Sequence, residues 1–116
     1  GKSTILRQVI AEIKENGIED SHIVYINFED YKYHKLTDAD AFYEYVEQKI
    51  IDESKYYLFF DEIQNVKDFE RVVDSLYIKP NVDIYITGSN AYMLSSELAT
   101  LLSGRYVEIK MLPLLF

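Results

Sequence analysis

Apolar residues along the chain follow two spacings, one typical of amphipathic helices and one typical of buried strands. Between residues 3 and 15 they recur every three or four positions, which predicts a helix that ends near Gly17. The same spacing predicts a second helix carrying Phe42, Val46 and Ile50, and a third carrying Phe69, Val72, Val73 and Leu76. The β-branched and aromatic run 23–28 and the continuous apolar run 56–60 predict strands. Further strands are predicted at 82–87 and 106–111, and a short helix at 95–102 precedes the last of them.

Polar segments separate these elements. The Tyr-rich stretch 29–35 is predicted to be a loop, and Pro80-Asn81 is predicted to turn the chain. Thr37 is the expected N-cap of the second helix, with Asp40 at the reciprocal position.

The run 56–60 is continuously apolar rather than alternating, which is typical of a strand buried on both faces of a parallel sheet. Helices alternate with strands four times, so the fold class is α/β, a three-layer domain with a mostly parallel sheet. The chain opens on Gly1-Lys2-Ser3 with no initiator Met. We therefore expect residues 1–116 to be part of one domain, truncated at both ends, whose first strand precedes Gly1.

Composition narrows the class of protein. With 116 residues the chain has the size of one domain, and it has no cysteine for a disulfide framework or a thiolate zinc site. The formal net charge of −8 argues against unaided, nonspecific binding of nucleic acid. No apolar run approaches the length of a membrane span, so we predict a cytoplasmic location and no membrane partner.

The first residues match the end of a phosphate-binding loop, G-x-x-x-x-G-K-[ST]. Gly1 would let backbone N–H groups approach phosphate, Lys2 would reach the β- and γ-phosphates, and the Ser3 hydroxyl would ligate Mg²⁺. The helix that follows would add its positive N-terminal end to the same anion.

An acidic pair follows the apolar run 56–60. Ligands bind at the carboxyl ends of the strands in open parallel sheets, and Asp61 and Glu62 stand at such an end. Asp61 would hold Mg²⁺, directly or through water, and Glu62 would polarise the attacking water.

Two further segments carry candidate chemistry. Thr87, Ser89 and Asn90 stand at the end of a predicted strand and could aim a hydroxyl or amide at the γ-phosphate, although a simple turn explains them equally well. We group Asn90 with the candidate catalytic residues. Arg105 could stabilise transition-state charge, or it could interact with the C-terminal end of its own helix.

With these elements in place, the sequence resembles the AAA+-like branch of the P-loop ATPases, which are RecA-like nucleotide-binding domains. More narrowly, it is similar to bacterial and archaeal AAA-domain ATP-binding proteins with a nuclease-like C-terminal domain. The residues that carry the resemblance are Gly1-Lys2-Ser3-Thr4, Phe59-Phe60-Asp61-Glu62-Ile63-Gln64, Thr87-Gly88-Ser89-Asn90, Leu102-Ser103-Gly104-Arg105 and Leu112-Pro113-Leu114.

The resemblance implies a role for each matching residue. Lys2, Ser3 and Thr4 would bind nucleotide and Mg²⁺, Asp61 would support the metal, and Glu62 would be the catalytic base. A sensor would fall within 87–90, and Arg105 stands where AAA+ proteins often carry an arginine finger.

The predicted function is therefore Mg²⁺-dependent ATP hydrolysis coupled to an unidentified partner or C-terminal domain. Two alternatives stay open: an ATP-gated switch with negligible turnover, and a helicase-type motor on nucleic acid. Arg105 acting in trans would require a homo-oligomer. A nucleic-acid partner would be contacted through segments outside residues 1–116.

Overall fold

The computed structural model describes residues 2–88 and 107–108, and all structural statements below concern that part of the chain. The α-helices are α1 (Lys2–Glu15), α2 (Ala39–Lys49) and α3 (Phe69–Tyr77). The strands are β1 (Ile23–Asn27), β2 (Tyr56–Asp61), β3 (Val82–Ile86) and β4 (Val107–Glu108). Short 3₁₀ helices occupy Asp20–His22, Tyr31–Thr37 and Ile63–Asn65.

The strands form one parallel sheet in the order β1-β2-β3-β4. In the register of β1 with β2, Asn27 lies beside Asp61, and in the register of β2 with β3, Phe60 lies beside Ile86. The carboxyl ends of these three strands therefore meet at one edge of the sheet. This is the mixed α/β fold with a parallel sheet that the sequence predicts.

Helices cover both faces of the sheet. On one face, α2 and α3 pack against the larger apolar cluster, in which Phe42 meets Phe28 and Phe60 edge to face at 4.9 and 4.8 Å between ring centroids. On the other face, α1 packs through Leu6 against Phe59. β2 is buried along most of its length, which explains why residues 56–60 are continuously apolar, whereas buried and half-buried positions alternate along β1 and β3.

The direction of α1 follows from its contacts. Lys14, near its C-terminal end, forms an ion pair with Asp20 at 2.8 Å, just before β1 begins. Leu6, in its first half, shares a cluster with Phe59, two residues before the end of β2. The N-terminal turn of α1 therefore points toward the carboxyl edge of the sheet.

The sequence predictions hold for the three helices and for the first three strands, with boundary shifts of one or two residues. Two details were wrong. The N-cap of α2 is Asp38, which accepts from Ala41 N–H at 3.0 Å, whereas the Thr37 hydroxyl donates to the His34 carbonyl. Most of the segment predicted as a loop lies in the 3₁₀ helix Tyr31–Thr37.

The helix predicted at 95–102 and most of the strand predicted at 106–111 lie outside the described residues; only Val107–Glu108 is seen as a strand. Within the described part of the chain, no helix has both the length and the apolar character needed to cross a membrane.

Candidate active site at the carboxyl edge of the sheet

The acidic pair lies where β2 ends. Asp61 is the last residue of the strand, its side chain is fully buried, and its carbonyl accepts from Phe28 N–H at 2.9 Å. Alternation along the strand places Asp61 on the same face as Phe59, the face on which α1 packs. Glu62 follows outside the strand and is half-buried.

Two hydroxyl groups from neighbouring strands bind the Asp61 carboxylate. Thr87 Oγ1 donates to Oδ1 at 2.6 Å, and Tyr25 OH donates to Oδ2 at 3.0 Å. A buried carboxylate is costly unless hydrogen bonds replace its hydration, and hydrogen bonds to a charged acceptor are the stronger kind. The two hydroxyls therefore stabilise and orient a charge that β2 places in the interior.

The backbone of Glu62 is left-handed, at φ 56° and ψ 49°. A non-glycine residue in this region costs about 1–2 kcal/mol, so its surroundings must hold it there. Its N–H donates to Thr87 Oγ1 at 3.0 Å, and its carbonyl accepts from Asn65 Nδ2 at 3.0 Å. Strained backbone that is fixed on both sides is common at functional sites.

The Glu62 side chain has a partner of its own. Gln64, in the short helix Ile63–Asn65 that Glu62 precedes, donates from Nε2 to Glu62 Oε1 at 2.8 Å. The amide therefore holds one carboxylate oxygen of Glu62 in a defined position.

Thr87 connects the two acids. Its hydroxyl donates to Asp61 and accepts from Glu62 N–H, and its backbone continues the pairing with Phe60 and Ile63 at 3.0 Å each. The sequence allowed this hydroxyl to be aimed at a phosphate. In the structure its proton is donated to Asp61.

The layer of residues below Asp61 is aromatic. Tyr25, Phe59 and Tyr85 lie side by side on three strands, and Phe59 stacks on Tyr85 at 4.7 Å between ring centroids. Burial, and then the nearby Asp83 carboxylate, raise the pKa of Tyr85, so its phenol remains neutral at physiological pH. The Asp61 side chain therefore lies above an aromatic layer in which Tyr85 is uncharged.

Only some of the other predicted site residues lie in the described part of the chain. Lys2, Ser3 and Thr4 form the first turn of α1, and Thr4 is exposed. Gly1, Ser89, Asn90 and Arg105 lie outside the described residues. The structure thus brings together Asp61, Glu62 and Thr87 and directs the first turn of α1 toward their edge of the sheet.

Sequence reasoning missed Tyr25 and Gln64. Strand alternation could have placed Tyr25 on the α1 face, since it lies two residues before Asn27. Nothing in the sequence pattern marks its hydrogen bond to a residue 36 positions away.

A parallel sheet covered by helices on both faces, with an acidic pair at the carboxyl end of its second strand, defines a fold of the P-loop NTPase type. The chain belongs to the AAA domain family, whose model matches residues 1–116. Membership of this family suggests nucleotide-binding ATPase activity, and AAA ATPases generally use ATP and Mg²⁺.

Two relatives are similar over the whole chain. One is an uncharacterized protein of Haemophilus influenzae, which is 46% identical over 117 residues; the match covers 29% of that protein's length. The other is the uncharacterized protein MJ1544 of Methanocaldococcus jannaschii, which is 35% identical over 116 residues; the match covers 25% of that protein's length. The chain thus spans less than a third of the length of these curated relatives. No solved structure matches it significantly.

Proposed function

We propose that this chain binds ATP with Mg²⁺ and hydrolyses it, as part of a P-loop ATPase domain acting in the cytoplasm. The observation that carries the proposal is the position of Asp61 and Glu62. They lie at the carboxyl edge of a parallel sheet, where such sheets bind ligands, on the side toward which the first turn of α1 points. The family supports the same chemistry.

The phosphates would be bound at the start of α1. Gly1, Lys2, Ser3 and Thr4 have the residue types of a phosphate-binding loop, with Lys2 as the positive charge. The first turn of α1 would direct its backbone N–H groups and the positive end of the helix dipole toward the same anion.

The residues present fit a magnesium ion. Mg²⁺ prefers oxygen ligands, keeps several waters, and is usually held by one or two carboxylates together with substrate phosphates. Asp61 supplies one such carboxylate, and Ser3 is the proposed hydroxyl ligand. Because hydroxyl groups already bind both Asp61 oxygens, we propose that Asp61 acts through metal-bound water. When bound, the ion would neutralise phosphate charge.

Glu62 would orient the attacking water and accept its proton. The left-handed backbone, the Thr87 hydroxyl and the Gln64 amide fix the position of this carboxylate before substrate binds. Positioning of this kind supplies most of the rate acceleration in phosphoryl transfer.

Two proposed roles concern residues outside the described part of the chain. Asn90 would contact the γ-phosphate, and Arg105 would stabilise transition-state charge, in its own site or in that of a neighbouring subunit. The second arrangement would make the ATPase a homo-oligomer. Contact with nucleic acid would require segments beyond these 116 residues.

The test is ATP binding and steady-state phosphate release by the full-length protein with Mg²⁺, with and without DNA. We expect Lys2→Ala to lose ATP binding, and Glu62→Gln to bind ATP but to turn over at least about 100-fold more slowly than the wild type. Lys35→Ala removes an exposed positive charge in the 3₁₀ helix Tyr31–Thr37 and is the matched control for Lys2→Ala.

The outcomes separate the alternatives. If the wild type binds ATP but neither it nor Glu62→Gln releases phosphate faster than a sample without protein, hydrolysis is excluded and the domain is an ATP-gated switch. If Lys2→Ala binds ATP as tightly as Lys35→Ala, the phosphate site is placed wrongly. Stimulation by DNA would identify the class of partner.

A further inference from the structure

Tyr25 reaches the acidic pair from the neighbouring strand. Its hydroxyl lies 3.0 Å from Asp61 Oδ2, although the residue paired with Asp61 in the sheet register is Asn27. The Asn27 side chain is turned back on its own strand end, where Oδ1 accepts from Glu29 N–H at 3.0 Å. The Tyr25 hydroxyl, two residues before Asn27 on β1, therefore provides the contact from this strand to the Asp61 side chain.

The two hydroxyl groups approach different oxygens of the carboxylate. Thr87, following β3, binds Oδ1, and Tyr25, from β1, binds Oδ2. Because hydrogen bonds hold both of its oxygens, the carboxylate cannot rotate freely about the last bond of its side chain. Residues that orient a group at a metal site, without binding the metal themselves, tune the affinity of the site for the metal.

We infer that Tyr25 is a positioning residue for Asp61, holding the carboxylate in the orientation that supports Mg²⁺ at the nucleotide site. The inference rests on the proposed function, because it gives Asp61 the metal-supporting role. It adds a residue on β1, outside the phosphate loop and the acidic pair, to the determinants of metal affinity.

The sheet provides a matched control. Tyr25 and Tyr85 flank Phe59 symmetrically in the register, on β1 and β3, and both are half-buried. Tyr25→Phe and Tyr85→Phe each remove one phenolic oxygen from the same layer of the same face. Only the first removes a recorded hydrogen bond to Asp61.

The experiment is a fluorescence titration of the full-length protein with a fluorescent ATP analogue, at increasing Mg²⁺ concentration and separately in EDTA. For Tyr25→Phe we expect the half-saturating Mg²⁺ concentration to rise about 10-fold, the lower end of the range for residues that orient a metal site without binding the metal. Binding in EDTA should equal that of the wild type. Tyr85→Phe should match the wild type in both conditions.

A double variant tests whether the effect passes through Asp61. In an Asp61→Asn background, adding Tyr25→Phe should produce no further shift in Mg²⁺ dependence, because coupled residues are not additive. An additional 10-fold shift in that background would overturn the inference.

Two other results would also overturn it. The first is an Mg²⁺ dependence of Tyr25→Phe equal to that of Tyr85→Phe. The second is an equal loss of binding in Mg²⁺ and in EDTA, or loss of the circular-dichroism signal, since either would show a general structural role. Failure of the proposed function looks different: Lys2→Ala and Asp61→Asn would then both bind the analogue as the wild type does.

Discussion

The Thr87 hydroxyl donates to Oδ1 of Asp61 at 2.6 Å, joining two residues that are 26 positions apart in the chain. The Thr87 hydroxyl oxygen, Oγ1, also accepts from the Glu62 N–H at 3.0 Å. One side-chain oxygen thus orients the buried carboxylate and holds the strained backbone beside it. The geometry of the two acids therefore depends on a residue that follows β3.

Replacing Thr87 by Val tests this connection. Val has nearly the same shape but cannot donate to Asp61 or accept from Glu62, so a buried charged acceptor and a backbone donor each lose a partner. We expect a loss of about 2–3 kcal/mol in the free energy of unfolding, measured by urea denaturation. Thr87→Ser keeps the hydroxyl and loses one methyl group, which should cost about 1 kcal/mol. Equal losses for the two variants would contradict this role of the hydroxyl.

A second carboxylate organises the opposite edge of the sheet. Asp52 Oδ1 accepts from Ser54 N–H and Tyr56 OH at 3.0 Å each, and also from the Ser54 hydroxyl. These hydrogen bonds, with the Ser54 side chain contributing most, lower the pKa of Asp52 below its ordinary value. Asp52 therefore fixes the turn that leads into β2.

The lowered pKa predicts the pH dependence of stability. The contribution of Asp52 is complete above the unfolded-state pKa of about 3.9 and is lost as pH falls through the lower folded-state value. We expect Asp52→Asn to lower the Tm at pH 7 and the difference from the wild type to shrink toward pH 3. Glu53→Gln, a change of the neighbouring exposed acid, is the control. A difference that stays constant between pH 7 and pH 3 would exclude this titration.

The amide of Gln64 is expected to matter for turnover rather than for ATP affinity. Gln64→Met keeps the length of the side chain but cannot donate to Glu62 Oε1, which now lies 2.8 Å from Nε2. Misplacing a catalytic group by about 1 Å costs up to about 100-fold in rate, so we expect a loss in kcat of up to that size with unchanged ATP binding. Gln48→Met, the same change at an exposed position of α2, should leave kcat unchanged.

The same assay contains a check on mechanism. In a Glu62→Gln background, adding Gln64→Met should cost nothing more, because the carboxylate that the amide positions has already been removed. A further loss of rate in that background would mean that Gln64 acts by another route.

Burial determined which parts of the fold were predictable. Helices α1, α2 and α3 and strands β1, β2 and β3 each bury apolar residues at regular spacing, so the sequence pattern locates them. The N-cap of α2 was misassigned because adjacent Thr37 and Asp38 are both good capping residues. Only the backbone conformation decides between them.

The site was predictable only where a residue type and a strand end coincide. Asp61 and Glu62 follow an apolar run, so their place at the edge of the sheet could be predicted. Tyr25 could not, because strand register brings it to Asp61 and register is a long-range property. The contact of Gln64 with Glu62 depends on the left-handed backbone at Glu62. Glutamate does not favour that conformation, and the sequence does not indicate it.

The strain at Glu62 leads to a prediction in which stability and activity change in opposite directions. Glu62 and Asp68 are the two non-glycine residues with positive φ in the described part of the chain, at 56° and 60°. Glycine adopts this conformation without steric cost, so the strain at either position is released by that substitution, partly offset by the entropy of the unfolded chain. We expect Asp68→Gly, at the start of α3, to gain up to about 1 kcal/mol in the free energy of unfolding and to keep full ATPase activity.

Glu62→Gly should be as stable as the wild type or more so, because the released strain offsets the lost hydrogen bond to Gln64. It should nevertheless lose at least about 100-fold in kcat. Urea denaturation and phosphate release measured on the same preparations test both halves. A Glu62→Gly protein that is clearly less stable than the wild type would show that this residue serves the fold, whereas one that retains turnover would remove Glu62 from the proposed chemistry.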